Sequence, residues 1–365
     1  MELQIKTLTP IWTGGVETGK MDRLHETSII GSLRWWYEAI VRGLGGDVCD
    51  PTSDNPEDRC QFDAKAYEKT KNTEDGLASV CSVCRLFGCT GWKRRFEVQA
   101  VTTDLQAFWL ATKDKPNKFN HWWLSEVYES QESYVALGQI ILRFRWIRGY
   151  ESQHKLIQAL LSLVSQLGGL GAKTQYGFGL FLYADVQFIS QSLAIIKQNL
   201  VNPNPRKDVS GIYPTLSDYW LLQCVIPNND VTRQFNQVNI VGSQQTFDKY
   251  KSHLLPVSFD IRYKLPGSND KGLRQAYRLR YGKMSTRQLF GTLKGSEKDK
   301  RSSSVFVSHL YKENDSSDDY QLRVWGFTNP DITGEIEKSL KNIFPNLCCP
   351  QTKGSDLLAG VEVQI

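Results

Sequence analysis

Two amphipathic segments that each run into a cluster of glycines most constrain how this chain can fold. In "ETSIIGSLRWWYEAIVRGLGG", apolar side chains recur every three or four residues from Ile30 to Leu44, which predicts a helix closed by the glycines that follow. In "HKLIQALLSLVSQLGG", the same spacing runs from Leu156 to Leu167 and again ends in glycine. Because strand-like segments flank both helices, the chain is predicted to pack helices against sheets.

The first helix carries a basic residue next to two tryptophans. Ser28 is predicted to cap the helix, and Trp36 falls on the apolar face and is predicted to be core. Trp35 lies off that face and could border a groove. Arg34 faces the opposite side, four residues before Glu38, and is interpreted either as a solvated ion-pair partner or as a contact to a phosphate.

Segments of strand and helix alternate along the 365 residues, which are enough for two domains. Residues 1–200 are predicted to form an N-terminal domain with a polar, cysteine-rich insertion at 47–91, and residues 218–365 a C-terminal domain beyond a proline-bearing linker. The fold class predicted is α+β. Strands are expected at 2–10, 96–111, 139–150, 180–188, 219–226, 256–265, 303–312 and 320–327, and further helices at 243–255 and 331–344.

Cysteines are concentrated in the polar insertion. Cys81 and Cys84 form a CxxC pair, and Cys49 and Cys60 are the natural second pair, with Cys89 as the substitute. Four thiolates can hold one tetrahedral zinc, which would tie down an insertion too polar to form its own core. Unligated, partly buried thiols remain the alternative, while a redox CxxC lacks the flanking strand and helix it needs.

The location expected for the chain follows from its N-terminus and hydropathy. The segment "MELQIKTLTPIW" lacks the basic start and apolar run of a signal peptide, and no apolar run is long enough to span a bilayer. A cytoplasmic protein is therefore expected, with no membrane partner. In that compartment thiols stay reduced, which favours metal over disulfides for clustered cysteines.

Positive charge is concentrated in one segment. Residues 262–301 contain twelve basic and three acidic residues, a balance of +9, whereas the whole chain carries only +5. Within this basic island, Tyr277 lies among Arg274, Arg278 and Arg280, a pattern that suits base stacking beside phosphate contacts. A solvated loop is the alternative. A smaller basic cluster that borders the cysteines includes Arg94 and Arg95, and these two residues are also predicted to contact RNA.

The glycine-rich loop "GGLGAKTQYGFG" offers a second place for phosphate. Its order of residues is not that of a P-loop, so nucleotide hydrolysis is not indicated and no small-molecule substrate is expected. Glycines still allow a backbone to approach phosphate closely, and Lys173 adds charge. A tight helix-to-strand turn is the alternative interpretation.

Hydrolytic chemistry has little support in the sequence. The five histidines are scattered and no nucleophile elbow is present. Asp22, in the glycine-bearing loop before the first helix, is the best single carboxylate for metal-assisted RNA cleavage.

Several motifs, taken in order, resemble the RAMP superfamily of CRISPR proteins, and within it the first-subunit family of type III-B Cmr effector complexes. They are "PIWTGG", "ETSIIGSLRWWYEAIVRGLGG", "CRLFG", "GGLGAKTQYGFG" and the downstream "KRSSSVFV". The resemblance implies two tandem ferredoxin-like, RRM-related domains with a cysteine-bearing insertion. It also implies a non-catalytic subunit that holds the 3′ region of the guide RNA (crRNA) and helps to capture target RNA in antiviral defence.

The same resemblance places RNA contacts at the loop before the first helix, at Ser32 and Arg34, and at Lys173, Gln175 and Tyr176. The partners it implies are guide and target RNA and other Cmr or RAMP subunits. The residues by themselves are also compatible with two other functions. One is a metal-dependent endoribonuclease that uses Asp22, and the other is an assembly scaffold whose basic island binds acidic subunits instead of RNA.

Overall fold

The fold is that of a computed structural model. It describes residues 1–17, 20–102, 105–112, 134–201, 213–235, 238–242, 253–263, 272–292, 302–314 and 316–362.

The strands are β1 (Glu2–Thr7), β2 (Phe96–Thr102), β3 (Leu105–Thr112), β4 (Tyr134–Ala136), β5 (Gln139–Trp146), β6 (Phe181–Tyr183), β7 (Tyr219–Ile226), β8 (Val238–Gly242), β9 (Leu254–Leu255), β10 (Val305–Val307), β11 (Leu310–Tyr311), β12 (Tyr320–Phe327) and β13 (Gln351–Lys353). The helices are α1 (Glu26–Gly43), α2 (Ala64–Thr70), α3 (Thr73–Gly76), α4 (Ser82–Phe87), α5 (His154–Leu167), α6 (Ile189–Gln198), α7 (Asn228–Phe235), α8 (Ser258–Tyr263), α9 (Leu273–Phe290), α10 (Thr333–Ile343) and α11 (Gly354–Glu362). Among the described residues, none of these helices combines the length and apolar character needed to cross a bilayer.

The first sheet is antiparallel, with the strand order β2-β5-β1-β6. Leu3 lies opposite Leu142 and Ile5 opposite Ile140, and the side chains of β1 alternate between buried and exposed. α1 and α5 pack against each other, and their apolar faces join the buried side of β1 in one core. The connectivity is therefore β-α-β-β-α-β.

The second sheet is also antiparallel and runs β13-β7-β12-β11-β9, with β10 paired to β12. β7 and β12 match residue for residue from Tyr219 opposite Phe327 to Ile226 opposite Tyr320. The α+β class with antiparallel sheets is confirmed. Two tandem ferredoxin-like domains remain a prediction, since the strand order of the second sheet differs from that of the first.

A third sheet joins the two halves of the chain. Its strand order is β4-β3-β8, so that residues 105–112 pair with residues 238–242. A disulfide crosslinks the second half of the chain, between Cys224 on β7 and Cys349.

α1 is buried along the face that its apolar spacing predicts, and the prediction that Trp36 is core is confirmed at 3% exposure. The predicted cap at Ser28 is wrong, because α1 already begins at Glu26. The backbone N–H of His25 donates to Oγ1 of Thr13 at 3.0 Å, which fixes the chain at the start of the helix. The Ser28 N–H then donates to the carbonyl of His25, inside the first turn.

The strand predicted at residues 256–265 is also wrong, since this segment contains α8. Alternating apolar residues there suggested a strand, but tertiary contacts decide the conformation. Arg262 is buried, and its Nη1 and Nη2 donate to the carbonyls of Val305 and Phe290 at 2.6 and 2.8 Å. Most of the helix predicted at 243–255 lies outside the described residues, and Leu254 and Leu255 form β9.

Candidate nucleic-acid interface

A cleft of about 750 Å³ lies between α1, the glycine-rich loop and the second sheet. Its first wall is the outward side of α1, with Gly31, Ser32 and Trp35. Gly31 is exposed inside the helix, and a Cβ built on it would meet no atom within 4 Å. Glycine costs a helix interior about 0.5–1 kcal/mol relative to alanine. Internal packing therefore does not require this glycine, which presents bare backbone to the cleft.

The glycine-rich loop forms the second wall and is fixed to α1 through Ser32. The Ser32 hydroxyl donates to the carbonyl of Gly171 at 3.0 Å and accepts from the Gly171 N–H at 2.9 Å. Gly171 has φ +87°, and a Cβ there would lie 2.6 Å from the carbonyl oxygen of Trp12. Glycine is needed at this position both for the left-handed backbone and for the close approach. Ser32 thus contacts the loop and also lines the cleft.

The three loop residues predicted to contact RNA point to different places. Gln175 lines the cleft. The Lys173 ammonium lies 4.0 Å from the centre of the Trp12 ring, a cation–π contact. The Tyr176 ring packs against Phe259 at 5.3 Å between centres. Of the three, Gln175 is the one that the structure places in the cleft lining.

The third wall comes from the second half of the chain and was not predicted as a site. It consists of Ser302, Ser303 and Ser304 with Phe306 and Trp325. The Phe306 ring is stacked on Trp325, 5.3 Å between centres and 9° between planes. Hydroxyls beside an aromatic surface suit the ribose and base of single-stranded RNA. The signal was the motif "KRSSSVFV", which carried the family resemblance but was not assigned a contact.

Four of the predicted zinc ligands come together. The sulfurs of Cys49, Cys60, Cys81 and Cys84 all lie within 4.8 Å of one another, and all four residues are buried. A tetrahedral zinc with bonds of about 2.3 Å separates its sulfurs by about 3.8 Å, so the donor set fits this ion in number, type and spacing. Cys49 and Cys84 are 3.3 Å apart at Sγ, which excludes a disulfide between them. Among the described residues, the metal-ligating group consists of these four cysteines, and Cys89 is not part of it.

The charge state of this cysteine cluster depends on contacts between its thiols. A hydrogen bond with Cys49 lowers the pKa of Cys81 to about 6, and a hydrogen bond with Cys49 raises the pKa of Cys84. Neighbouring thiols therefore cannot all ionise by themselves, because each thiolate disfavours the next. A divalent cation at the centre would allow four thiolates at once.

Arg34 contacts the cysteine cluster instead of lining the cleft. Its Nη2 donates to Sγ of Cys84 at 3.4 Å, Nη1 donates to the carbonyl of Gly88 at 3.1 Å, and Nε donates to Glu38 at 2.9 Å. Burial lowers the pKa of Arg34, but the negative charge of Cys84 and Glu38 outweighs it and the pKa is raised. The predicted phosphate contact by Arg34 stays a prediction.

The insertion also holds one edge of the cleft. Tyr213 and Pro214 line the cleft. The Tyr213 hydroxyl donates to Asp50, the residue after Cys49. Arg42 on α1 donates to the carbonyl of Pro214 at 3.1 Å and lies 5.0 Å from the centre of the Tyr213 ring. Disorder around Cys49 would therefore disturb the edge of the cleft through Asp50 and Tyr213.

The small basic cluster near the cysteines is engaged within the fold. Arg95 is 7% exposed and its guanidinium lies 3.5 Å from the centre of the Trp92 ring. Arg94 donates through Nε to the carbonyl of Phe96 at 2.6 Å. RNA contact by Arg94 and Arg95 stays a prediction, and neither residue lines the cleft.

The basic island is only partly described, and its residues on α9 differ in exposure. Arg274 is half-buried, 5.6 Å from the centre of the Tyr263 ring, and burial lowers its pKa. Tyr277 packs on Tyr281 at 4.5 Å. Arg280 forms an ion pair with Glu335, and Arg278 is exposed. None of Arg274, Tyr277, Arg278 and Arg280 lines the cleft, and their contact with RNA stays a prediction.

Asp22 lies on the surface before α1. One of its oxygens is 2.7 Å from Nε2 of His25, and this hydrogen bond lowers the pKa of the carboxyl. In the part of the chain that the structure describes, no three metal-ligating side chains that include Asp22 cluster together.

Part of the chain matches a known protein family. Residues 4–181 match the family model of the RAMP superfamily, which confirms the resemblance to that superfamily found in the sequence. The matched segment runs from within β1 to the first residue of β6.

Solved structures that match the chain share little sequence identity with it. The apo crystal structure of Cmr1 from Pyrococcus furiosus shares 14% identity, with a TM-score of 0.47, over 95% of this chain and 97% of that chain. A chain of a type III-B Cmr-beta complex bound to cognate target RNA shares 12% identity, with a TM-score of 0.40, over 99% of both chains. The comparison with curated proteins gave no match.

Proposed function

We propose that this chain is a non-catalytic RNA-binding subunit of a type III-B CRISPR effector complex, which holds the 3′ region of the guide RNA and helps to capture target RNA in antiviral defence. The observation that carries the proposal is the cleft, because it joins α1, the glycine-rich loop and Ser302–Ser304 on one surface of a chain whose residues 4–181 match the RAMP superfamily. Guide–target base pairing supplies the sequence specificity, so the protein needs to recognise only shape and backbone.

The chemistry of the cleft favours single-stranded RNA. Gly31 and the glycine-rich loop leave backbone accessible, Ser302 and Ser304 supply hydroxyl donors and acceptors, and Phe306 and Trp35 supply aromatic surface. The Ser303 hydroxyl bonds within the fold, where it accepts from Arg262. An unpaired RNA strand can use the backbone, the hydroxyls and the aromatic rings, since its bases can stack, its ribose 2′-hydroxyls donate and accept hydrogen bonds, and its phosphates accept them. A double helix would offer no unstacked base to the aromatic residues.

The finer parts of the proposal concern architecture, metal and partners. We propose two tandem ferredoxin-like domains, residues 1–200 and 218–365, of which the first is supported by the β-α-β-β-α-β connectivity. We also propose a structural zinc held by the cysteine cluster, a cytoplasmic location, and other Cmr or RAMP subunits as protein partners. In this role the zinc fixes the insertion, and through Asp50 and Tyr213 the edge of the cleft.

A pair of helix glycines tests the proposal. Gly31 and Gly360 both lie inside helices, both are exposed, and neither has an atom within 4 Å of a built Cβ, but only Gly31 lines the cleft. Glutamine at either position should keep or raise stability, because glycine disfavours a helix by about 0.8–1 kcal/mol relative to alanine. Gly31→Gln should lower affinity for labelled single-stranded RNA by about tenfold, equivalent to about 1.4 kcal/mol.

Fluorescence anisotropy at fixed salt measures this affinity, and thermal unfolding checks that both variants are folded. Gly360→Gln should bind RNA as the unaltered chain does. Equal RNA affinity of the two variants would remove the cleft from the proposal.

A further inference from the structure

α9 contains a corner that carries exposed apolar side chains among basic ones. Gly282 has φ 81° and ψ 175°, which breaks the helix into two pieces, and a Cβ on it would meet no atom within 4 Å. Around this break, which we call the α9 corner, Leu279 is 61% exposed, Tyr281 40% and Met284 74%. Large apolar residues in one exposed group indicate a contact surface more than isolated ones do.

The α9 corner is held in place from its inner side. Leu273, Thr286 and Phe290 are buried, and Tyr277 packs against Phe290 at 5.8 Å. Arg280 forms an ion pair with Glu335 of α10. The apolar side chains are thus presented by a segment anchored to the fold, which lowers the entropy lost when a partner binds.

The charge next to these apolar residues indicates the chemistry of the partner. Arg278 and Lys283 are exposed on either side of the break, next to Leu279 and Met284 in the chain. A protein surface with an apolar hollow rimmed by Asp and Glu complements this arrangement in both shape and charge. Methionine adapts to such a hollow because its side chain is flexible and polarisable.

RNA fits the α9 corner less well than a protein does. Leucine and methionine offer a base no aromatic face, and Tyr281 already packs against Tyr277 at 4.5 Å. We infer that the α9 corner docks onto an acidic-rimmed apolar hollow of a neighbouring protein subunit. The inference rests on the proposed function, since that function supplies the assembly in which such a neighbour exists.

The test uses the full-length chain and the other subunits of its effector complex, assembled without RNA. Leu279→Asp/Met284→Asp should weaken association by about tenfold or more in biolayer interferometry, as expected for central apolar contacts. Arg278→Glu/Lys283→Glu should weaken association and reduce its dependence on salt. Val186→Asp/Phe188→Asp is the matched control, because Val186 and Phe188 are 53% and 75% exposed but lie outside α9.

The possible outcomes distinguish a failure of the proposed docking surface from a failure of the proposed function. Association of Leu279→Asp/Met284→Asp equal to that of the unaltered chain would overturn the docking surface while leaving the proposed function in place. Intact subunit association with lost single-stranded RNA binding would assign the α9 corner to RNA and overturn the inference. If the unaltered chain itself did not join the assembly, the proposed function would fail, and the inference with it.

Discussion

The guanidinium of Arg34 lies 3.4 Å from Sγ of Cys84, so the first helix of the chain contacts the cysteine cluster directly. Gly31 and Trp35, on the same helix, line the cleft. One helix therefore connects the proposed zinc site with the proposed RNA site. A tetrathiolate zinc would carry a net negative charge, which the half-buried guanidinium of Arg34 at this distance would offset.

Replacing Arg34 should therefore weaken metal binding. Arg34→Met removes the positive charge and the hydrogen bond to Cys84, and zinc affinity should fall about 10- to 100-fold, as for other residues that contact metal ligands. Competition with a chromophoric chelator measures it. Arg143→Met is the control, since Arg143 pairs with Glu2 on the surface at 2.7 Å. Identical zinc affinities in these two variants would argue against a role for Arg34 at the metal.

The cysteine cluster itself predicts about one zinc per chain by elemental analysis. Cys81→Ser/Cys84→Ser should lose the metal and much of its thermal stability, because the metal would tie together the segments that carry the four cysteines. Cys89→Ser should keep the full complement, as Cys89 lies outside the group of four. Full zinc content in the double variant would refute the assignment of ligands.

Buried His309 predicts a pH dependence of stability. Burial lowers the pKa of His309 from 6.5 to about 3, so the folded chain keeps it neutral where the unfolded chain protonates it. Stability linked to His309 is complete above pH 6.5 and is lost as the pH falls towards 3, reaching a loss of about 2–3 kcal/mol at pH 4.5. His309→Gln should flatten the fall in unfolding free energy between pH 6.5 and 4.5, measured by urea denaturation, and His154→Gln should not. A slope unchanged by His309→Gln would exclude this histidine as its source.

Asp22 predicts the result of a nuclease assay. A single exposed carboxylate next to His25 offers too few ligands for a catalytic metal, so labelled RNA should stay intact with the chain and manganese. Asp22→Ala should leave RNA binding in the cleft unchanged. RNA cleavage that disappears in Asp22→Ala would favour the endoribonuclease instead.

The local sequence pattern was sufficient to predict much of the fold. β7 and β12 occupy the segments predicted from their alternation, and the buried face of α1 follows its apolar spacing. The four cysteines also gather as their number and the CxxC pair indicated. These features depend on residues close in sequence, or on chemistry that only one arrangement satisfies.

Long-range packing determined the features that the local sequence pattern did not predict. Arg262 counted towards the basic island, yet it is buried and bonded to the carbonyls of Val305 and Phe290. The wall formed by Ser302–Ser304 and Phe306 meets α1 from about 270 residues away, and no periodicity shows that approach. Arg34 had the spacing of a solvated ion-pair partner, and its contact with Cys84 required the insertion to fold back on α1.

The proposed function requires single-stranded RNA to lie in the cleft. Crosslinking of 4-thiouridine-labelled guide and target RNA in the reconstituted complex, with adducts identified by mass spectrometry, tests it most directly. Adducts are expected at Trp35, Tyr213 and Phe306, which line the cleft from three separate parts of the chain. Adducts confined to residues outside the cleft, with these three aromatic side chains unmodified, would contradict it.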